Sequence, residues 1–437
     1  QDYQNKYTSA RNNNLPGEYP EIIGSTSDAF ITGNESYTER ASVVGRATYG
    51  FDQRYFAEFS FRVDGSTKFA PSRRWGFFPT ASVSWVISNE KFFKNIPSDV
   101  LSFAKLRGSY GVLGDDGSIA DFSYLMNYIF STNTGYPIGG NFAPGLMVDP
   151  NNYPNKDLKW GKSKDMNFAI DLGTLNNRIS ASFEIYQRRR TNMVMSAPTY
   201  LFPPSSGTDG NVPSVNFGDV RFRGWDLSLK HLNTIGEFRY NIAVNISKTT
   251  NKVLDYGDES TVPVNLRRKG NSYLVWSVYE ADGLFQSYEE IEAWPVDQDG
   301  YGNATLRPGD IRYLDHDGDN VLTSNDRINV KNGSYPDISY GISLGCSWRG
   351  LYMNAQFQGV AGYNQKINEI YSLEDGTLQR FQKYHMTDTW TPDNPGASYP
   401  RVKFASKADN NRLESTYWIK SCNFLRLKAL TVGYRFP

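Results

Sequence analysis

The chain has 437 residues with 46 basic and 46 acidic side chains, giving a formal net charge of zero at pH 7. That balance argues against nucleic-acid binding, which leaves a basic footprint, and no run of about 18 apolar residues is present to cross a membrane as a helix. Aromatics make up 15% (29 Tyr, 26 Phe, 9 Trp) while mean hydropathy is only −0.55, which suits a transmembrane β-barrel or a large secreted β-protein.

Residues 1–40 are expected to form an extracellular loop or connecting segment. From there, strands are predicted near 41–49, 54–64, 75–86, 103–113, 164–173 and 178–188, then near 222–232, 237–248, 337–347, 350–359 and 424–436. The signal is period-two alternation. Tyr55, Ala57, Phe59, Phe61 and Val63 oppose Glu58, Ser60, Arg62 and Asp64; Ile179, Ala181, Phe183 and Ile185 oppose Ser180, Ser182 and Glu184. Phe238–Ser247, Ile338–Ser347 and Leu351–Gln358 repeat the pattern. Such runs of about 9–11 residues can cross a bilayer when tilted, whereas strands of a soluble sandwich are nearer 5–6.

The connections alternate in length. Short joins fall at 50–53, 174–177, 233–236 and 348–349, with a longer one at 87–102 on the same side. Long joins fall at 65–74, 114–163, 189–221, 249–336 and 360–423. Sorting of short turns to one end and long loops to the other is the pattern of an outer-membrane barrel. Tyr49, Phe51, Tyr55, Trp85, Trp348, Tyr434 and Phe436 gather at the short-turn end, as an aromatic girdle would. The fold class is therefore all-β: an antiparallel transmembrane barrel over residues 41–437, with about eleven strands. An odd count does not close a bacterial barrel, so the strands are expected to form part of a larger one, with both edges paired by strands outside the chain. The first residues show no signal peptide.

Several segments then act together: Val63-Asp64-Gly65-Ser66, Arg74-Trp75-Gly76-Phe77-Phe78-Pro79, Leu106-Arg107-Gly108-Ser109-Tyr110-Gly111 and Leu158-Lys159-Trp160-Gly161-Lys162-Ser163. Further on come Gly309-Asp310-Ile311-Arg312-Tyr313, Phe357-Gln358-Gly359, Leu425-Arg426-Leu427-Lys428 and Gly433-Tyr434-Arg435-Phe436-Pro437. In order and spacing they resemble the C-terminal barrel half of SusC/RagA-type TonB-dependent outer-membrane transporters. The resemblance implies a 22-stranded barrel with a plugged lumen, a SusD-like surface lipoprotein as lid, and a TonB complex acting through a plug. It also implies a place in the bacterial outer membrane. The TonB box, plug and remaining strands are not found in this sequence.

Asp315-His316-Asp317-Gly318-Asp319 runs on through Val321 to Asp326. Asp315, Asp317, Asp319 and Asp326 occupy positions 1, 3, 5 and 12 of a calcium-type loop, with Asn320 at the position where Gly is usual. Asn tolerates the left-handed conformation needed there. The expectation is a structural calcium site; the alternative is a solvated acidic turn. No other cofactor is expected. Glu289-Glu290 and Asp115-Asp116 are adjacent acids of the kind that normally carry no catalysis, and no hydrolase, phosphate-loop or zinc-protease motif occurs, so no enzyme is expected. Arg188-Arg189-Arg190 sits where a strand leaves the membrane; a solvated strand end is the simplest account, and lipid headgroups the alternative. Glu58, Arg62, Asn241, Asn245, Asn354, Gln356 and Gln358 are expected to line the lumen, while Tyr136, Tyr200, Phe202, Tyr371 and Trp390 could stack on sugars or pack loop against loop. The function expected is import of a large nutrient, an oligosaccharide in preference to a peptide. A secreted carbohydrate-binding or adhesive protein is the alternative of another class. Cys346 and Cys422, at opposite ends of their strands, are expected to be unbonded.

Overall fold

The computed structural model describes residues 2–11, 30–126, 128–138, 141–148, 153–197, 212–257, 262–367, 383–402 and 410–436. Twelve strands form one antiparallel sheet, each paired with its neighbours in chain order. They are β1 (Asp2–Arg11), β2 (Phe30–Phe51), β3 (Tyr55–Ser66), β4 (Trp75–Val86), β5 (Phe103–Asp115) and β6 (Gly161–Thr174), followed by β7 (Ile179–Thr191), β8 (Asp219–Ile235), β9 (Phe238–Asp255), β10 (Ile338–Trp348), β11 (Leu351–Ala361) and β12 (Phe424–Tyr434). The eleven expected strands are β2–β12. The twelfth, β1, lies within residues 1–40, the segment expected to be a loop or connection. It pairs with Phe30–Glu39 of β2, whereas Arg40–Phe51 of the same strand pairs with β3. This upper ribbon continues β2 past the end of β3, on the long-loop side.

The short turns explain their own sequences. Tight hairpins need positive φ to match strand twist. Asp52 and Gln53 (φ 51° and 53°) and Arg349 with Gly350 (φ 46° and 83°) supply it, and Gly236 supplies 59°. At Gly350 a side chain would also meet the Arg435 carbonyl oxygen at 2.6 Å.

Alternation gives the sheet two unlike faces. On one, Phe168 is 57% exposed, Ile185 49% and Val432 61%, with Val43, Phe59, Val83, Ile242 and Leu430 also open. An exposed apolar belt of this extent is untenable in water and is what lipid requires. At its short-turn rim Tyr55 stacks on Trp85 (6.3 Å, 13°), and Tyr434 meets Phe436 edge-on. The phenol of Tyr55 (2.5 Å) and the indole of Trp85 (3.0 Å) both donate to Glu90, which also accepts from Arg54 at 2.9 Å. Glu90 sits in the longer connection between β4 and β5, and it satisfies polar groups that girdle aromatics normally offer to headgroups. Among the described residues the sheet does not close, and β12 has a partner on one edge only. Cys346 and Cys422 are both free.

The long loops build a core of their own. Tyr279, Leu284, Ile311, Tyr313, Trp390 and Trp418 cluster between the β9–β10 and β11–β12 connections. Short strand pairs brace it, Val275–Tyr279 with Arg327–Lys331 and Ala281–Leu284 with Ile311–Tyr313. These pieces are too short to show a period in the sequence.

Candidate functional site: a polar wall and an acidic loop

The face opposite the apolar belt is polar and hollowed. A hollow of 650 Å³ is lined by Thr48, Glu58, Ser82, Arg107, Asn167 and Glu184, all brought to one side by strand alternation. A second, of 640 Å³, includes Arg239, Asn241 and Asn354; a third, of 520 Å³, includes Asp226, Asn245 and Gln358. The predicted lumen residues therefore share one face, although Arg62 is engaged with Asp64 at 3.0 Å. Three residues that the sequence reading did not name among the lumen positions, Arg107, Asp171 and Ser182, organise the wall. Arg107 forks onto Asp171, Nε to Oδ2 at 2.7 Å and a terminal nitrogen to Oδ1 at 3.0 Å. The Ser182 hydroxyl donates to Asp171 at 2.7 Å. Their inward parity on β5, β6 and β7 was the available signal. Arg46 pairs with Glu58 at 2.7 Å nearby. The result is a surface of fixed donors and acceptors suited to a polar solute.

The acidic loop lies outside the sheet, after the short strand Ile311–Tyr313. Asp315 accepts from the amides of Gly318 and Asn320, both at 2.7 Å. Fully buried Asp326 accepts from the amides of His316 (2.8 Å) and Thr323 (2.7 Å). Gly318 (φ 81°) and Asn320 (φ 63°) take the left-handed conformation that the wrap requires. Carboxylate oxygens of Asp315, Asp317 and Asp326 all come within 4.8 Å of one another. Asp319, the fourth predicted ligand, is not in that group and turns to the Val321 amide at 2.8 Å. Burial opposes the Asp315 charge, but the amides of Gly318 and Asn320 outweigh it and hold its carboxyl below the ordinary range. Burial, with the charges of Asp326 and Asp319, pushes Asp317 up despite the amide of Asp319. Three converging carboxylates supply the kind of oxygen ligands that a hard divalent cation takes.

Other predicted positions resolve into structure. Asp116 is buried and binds Arg40 (2.7 Å) and Ser66 (2.9 Å). Glu290 closes the start of the helix Tyr288–Ala293 by accepting from the Gln286 amide at 2.5 Å. Trp390 is buried, its indole donating to Gln286 at 2.9 Å, so it packs loop against loop. Tyr200, Phe202 and Tyr371 lie outside the described residues, as does the side chain of Tyr136.

A lipid-facing belt, a polar inner wall and loops sorted to one end define a bacterial outer-membrane β-barrel wall. Residues 1–335 match the family model for the TonB dependent receptor-like β-barrel, and the chain belongs to that family. It resembles the SusC/RagA type within it. It is 27% identical over 410 residues to TonB-dependent receptor P3 of Formosa agariphila, covering 92% of this chain and 39% of that protein. It is 26% identical to TonB-dependent receptor SusC of Bacteroides thetaiotaomicron, covering 94% and 39%. The RagAB peptide importer in its open-open state superposes with a TM-score of 0.73 at 22% identity, over 100% of this chain and 45% of that one. The chain thus spans about two-fifths of the length of these curated relatives. The family is one of outer-membrane transporters rather than enzymes.

Proposed function

We propose that this barrel wall serves TonB-dependent import of a large polar nutrient, an oligosaccharide in preference to a peptide, together with a SusD-like lipoprotein over the long loops and a TonB complex acting from the periplasm. The observation that carries the reading is the row of hollows on the polar face, lined by Glu58, Arg107, Asn241, Asn245 and Gln358. Amides, hydroxyls and fork-shaped ion pairs suit a hydroxyl-rich solute without demanding a fixed charge on it. The fold likeness to a peptide importer supports peptide as the second reading. Uptake of labelled oligosaccharides and of labelled peptides by cells with and without the gene, in strains with and without TonB, separates the two. Gene-dependent, TonB-dependent uptake of oligosaccharide alone supports the proposal; uptake of peptide alone replaces it with the second reading.

The acidic loop belongs to the same reading. Asp315, Asp317 and Asp326 would hold a calcium ion that neutralises their mutual repulsion and stiffens the β9–β10 connection. Its role is structural. It supplies no chemistry to the solute.

A further inference from the structure

Charge is spread unevenly along the polar wall. At its long-loop end, alternation divides the run Arg188-Arg189-Arg190 between the two faces of β7. Arg188 turns to the wall and meets Asp165 on β6 at 2.9 Å, whereas Arg189 turns away and pairs with Asp219 on β8. Asp115 lines the same hollow as Arg188 and Arg190. Further down the wall Arg46 is matched by Glu58 and Arg107 by Asp171. Cations and carboxylates are mixed over this whole stretch.

At the short-turn end the mixing stops. The 640 Å³ hollow that includes Arg239 and Asn241 is also lined by Arg435, and a neighbouring hollow of 400 Å³ is lined by Arg178 and again by Arg239. Among the described residues no carboxylate lines either hollow. The three arginines stand just before β7, on β9 and just after β12; all are exposed, and none has an acidic partner among the described residues. Glu237, close to Arg239 in sequence, is taken by Arg349 in the β10–β11 turn. The floor between the arginines is made for hydrogen bonding. Asn241 on β9 and Asn354 on β11 flank Gly345 on β10, and a side chain at Gly345 would collide with both amide oxygens. Ser347 and Tyr352, opposite each other in register, add hydroxyls.

We propose that the short-turn end of the lumen is a subsite for acidic groups, carboxylate or sulfate, and that the imported oligosaccharide carries several of them along its length. The proposal rests on the reading of this wall as an oligosaccharide path. Guanidinium groups fork onto oxyanions, and a cleft lined by one sign of charge concentrates the other. Arg178 and Arg239 are two strand spacings apart and Arg239 and Arg435 three, about 10 Å and 14 Å. One small anion cannot bridge such gaps, whereas a chain with repeated charges can. An acidic protein surface would bring a contact core that is largely apolar. Amides and hydroxyls between the arginines suit a saccharide instead.

The test is uptake, by cells with and without the full-length gene, of a labelled pool of uronate-containing and sulfated oligosaccharides. The same pool is given after its carboxyls have been reduced, after its sulfates have been removed, and after both. Gene-dependent uptake of the untreated pool should exceed that of the fully neutralised pool at least tenfold, and the two single treatments show which acid group carries the preference. The variant Arg178→Gln/Arg239→Gln/Arg435→Gln should lose the preference, while Lys91→Gln/Lys94→Gln in the β4–β5 connection keeps it. If the triple variant does not reach the membrane, Arg239→Gln alone should lower the preference at least threefold. Equal uptake of the untreated and neutralised pools overturns the acidic subsite and leaves the oligosaccharide reading standing. No gene-dependent uptake of either pool overturns both. Variants that slow both pools in the same proportion would mean that the arginines hold another part of the protein, and that also overturns the proposal.

Discussion

Arg401 grips Asp310 across 91 residues, its Nε 2.8 Å and a terminal nitrogen 3.2 Å from the two carboxylate oxygens, with the Asp310 side chain fully buried. Asn411 donates to the same carboxylate at 3.0 Å, and so does the Arg307 amide at 2.9 Å. The preceding Gly309 (φ 91°) packs so closely that a side chain would lie 2.5 Å from Trp390. The Gly309–Tyr313 motif is therefore the joint between the two largest long connections.

Removing one partner of a buried, hydrogen-bonded ion pair typically costs about 3–5 kcal/mol. Asp310→Ala should weaken the loop core by about that amount and leave the sheet intact. Hydrogen exchange should accelerate at the Ile311 and Tyr313 amides while those of β7 keep their protection. Unchanged exchange at Ile311 would contradict the assignment.

Tyr417 gives the loop core an alkaline limit. Burial pushes its phenol above the ordinary value of 10.0, and the charge of Asp388 and the neighbouring Tyr399 add to this. Its hydroxyl donates to the Ser398 carbonyl at 2.8 Å. A folded-state pKa raised above the unfolded one means that the folded core keeps a proton the unfolded chain has lost. The stabilisation is complete below pH 10 and declines as pH rises beyond it. Proteolysis of the loops should accelerate above pH 10 in the native protein, and this pH dependence should flatten in Tyr417→Phe.

Chelation should act on the acidic loop alone. At neutral pH, EGTA is expected to speed exchange at the His316, Asp317 and Asn320 amides, and added calcium to restore it. Asp326→Asn should abolish the response. Identical exchange with and without chelator would remove calcium from the account.

The two faces of β6 predict opposite tolerances. Phe168→Lys puts a charge against hydrocarbon in the upper part of the apolar band and should cost about 1–3 kcal/mol, between the interfacial and midplane values. Asn167→Lys, on the polar wall beside Ser109 (3.3 Å), should cost under about 1 kcal/mol. Urea unfolding in vesicles, followed by tryptophan emission, measures both. Equal costs would mean that the faces are not distinguished by lipid.

Much of this was legible in the sequence because a lipid-facing strand must alternate, and eleven strands announced themselves that way. The segment Asp2–Arg11 has no such period, since its ribbon stands above the membrane with no lipid to select apolar residues. Asp319 matched the spacing of a calcium loop, yet spacing along the chain does not say which way a carboxylate turns. The sequence offered two roles for Trp390, stacking on sugars or packing loop against loop, and the packing that occurs depends on Gly309 and Gln286, 81 and 104 residues away in sequence. The run Arg188–Arg190 read as one charge block until pairing with β6 and β8 divided it between two environments.

The central claim, that this sheet is a membrane barrel wall with lipid on one face and an aqueous lumen on the other, is tested most directly by cysteine accessibility along β7. Single cysteines at Ser180, Ala181, Ser182, Phe183, Glu184 and Ile185 would be placed in full-length protein in native outer membranes, with Cys346 and Cys422 replaced by serine. A charged thiol reagent should label positions 180, 182 and 184, and leave 181, 183 and 185 to a lipid-soluble reagent. Labelling without the two-residue period, or a period with the faces reversed, would contradict the account.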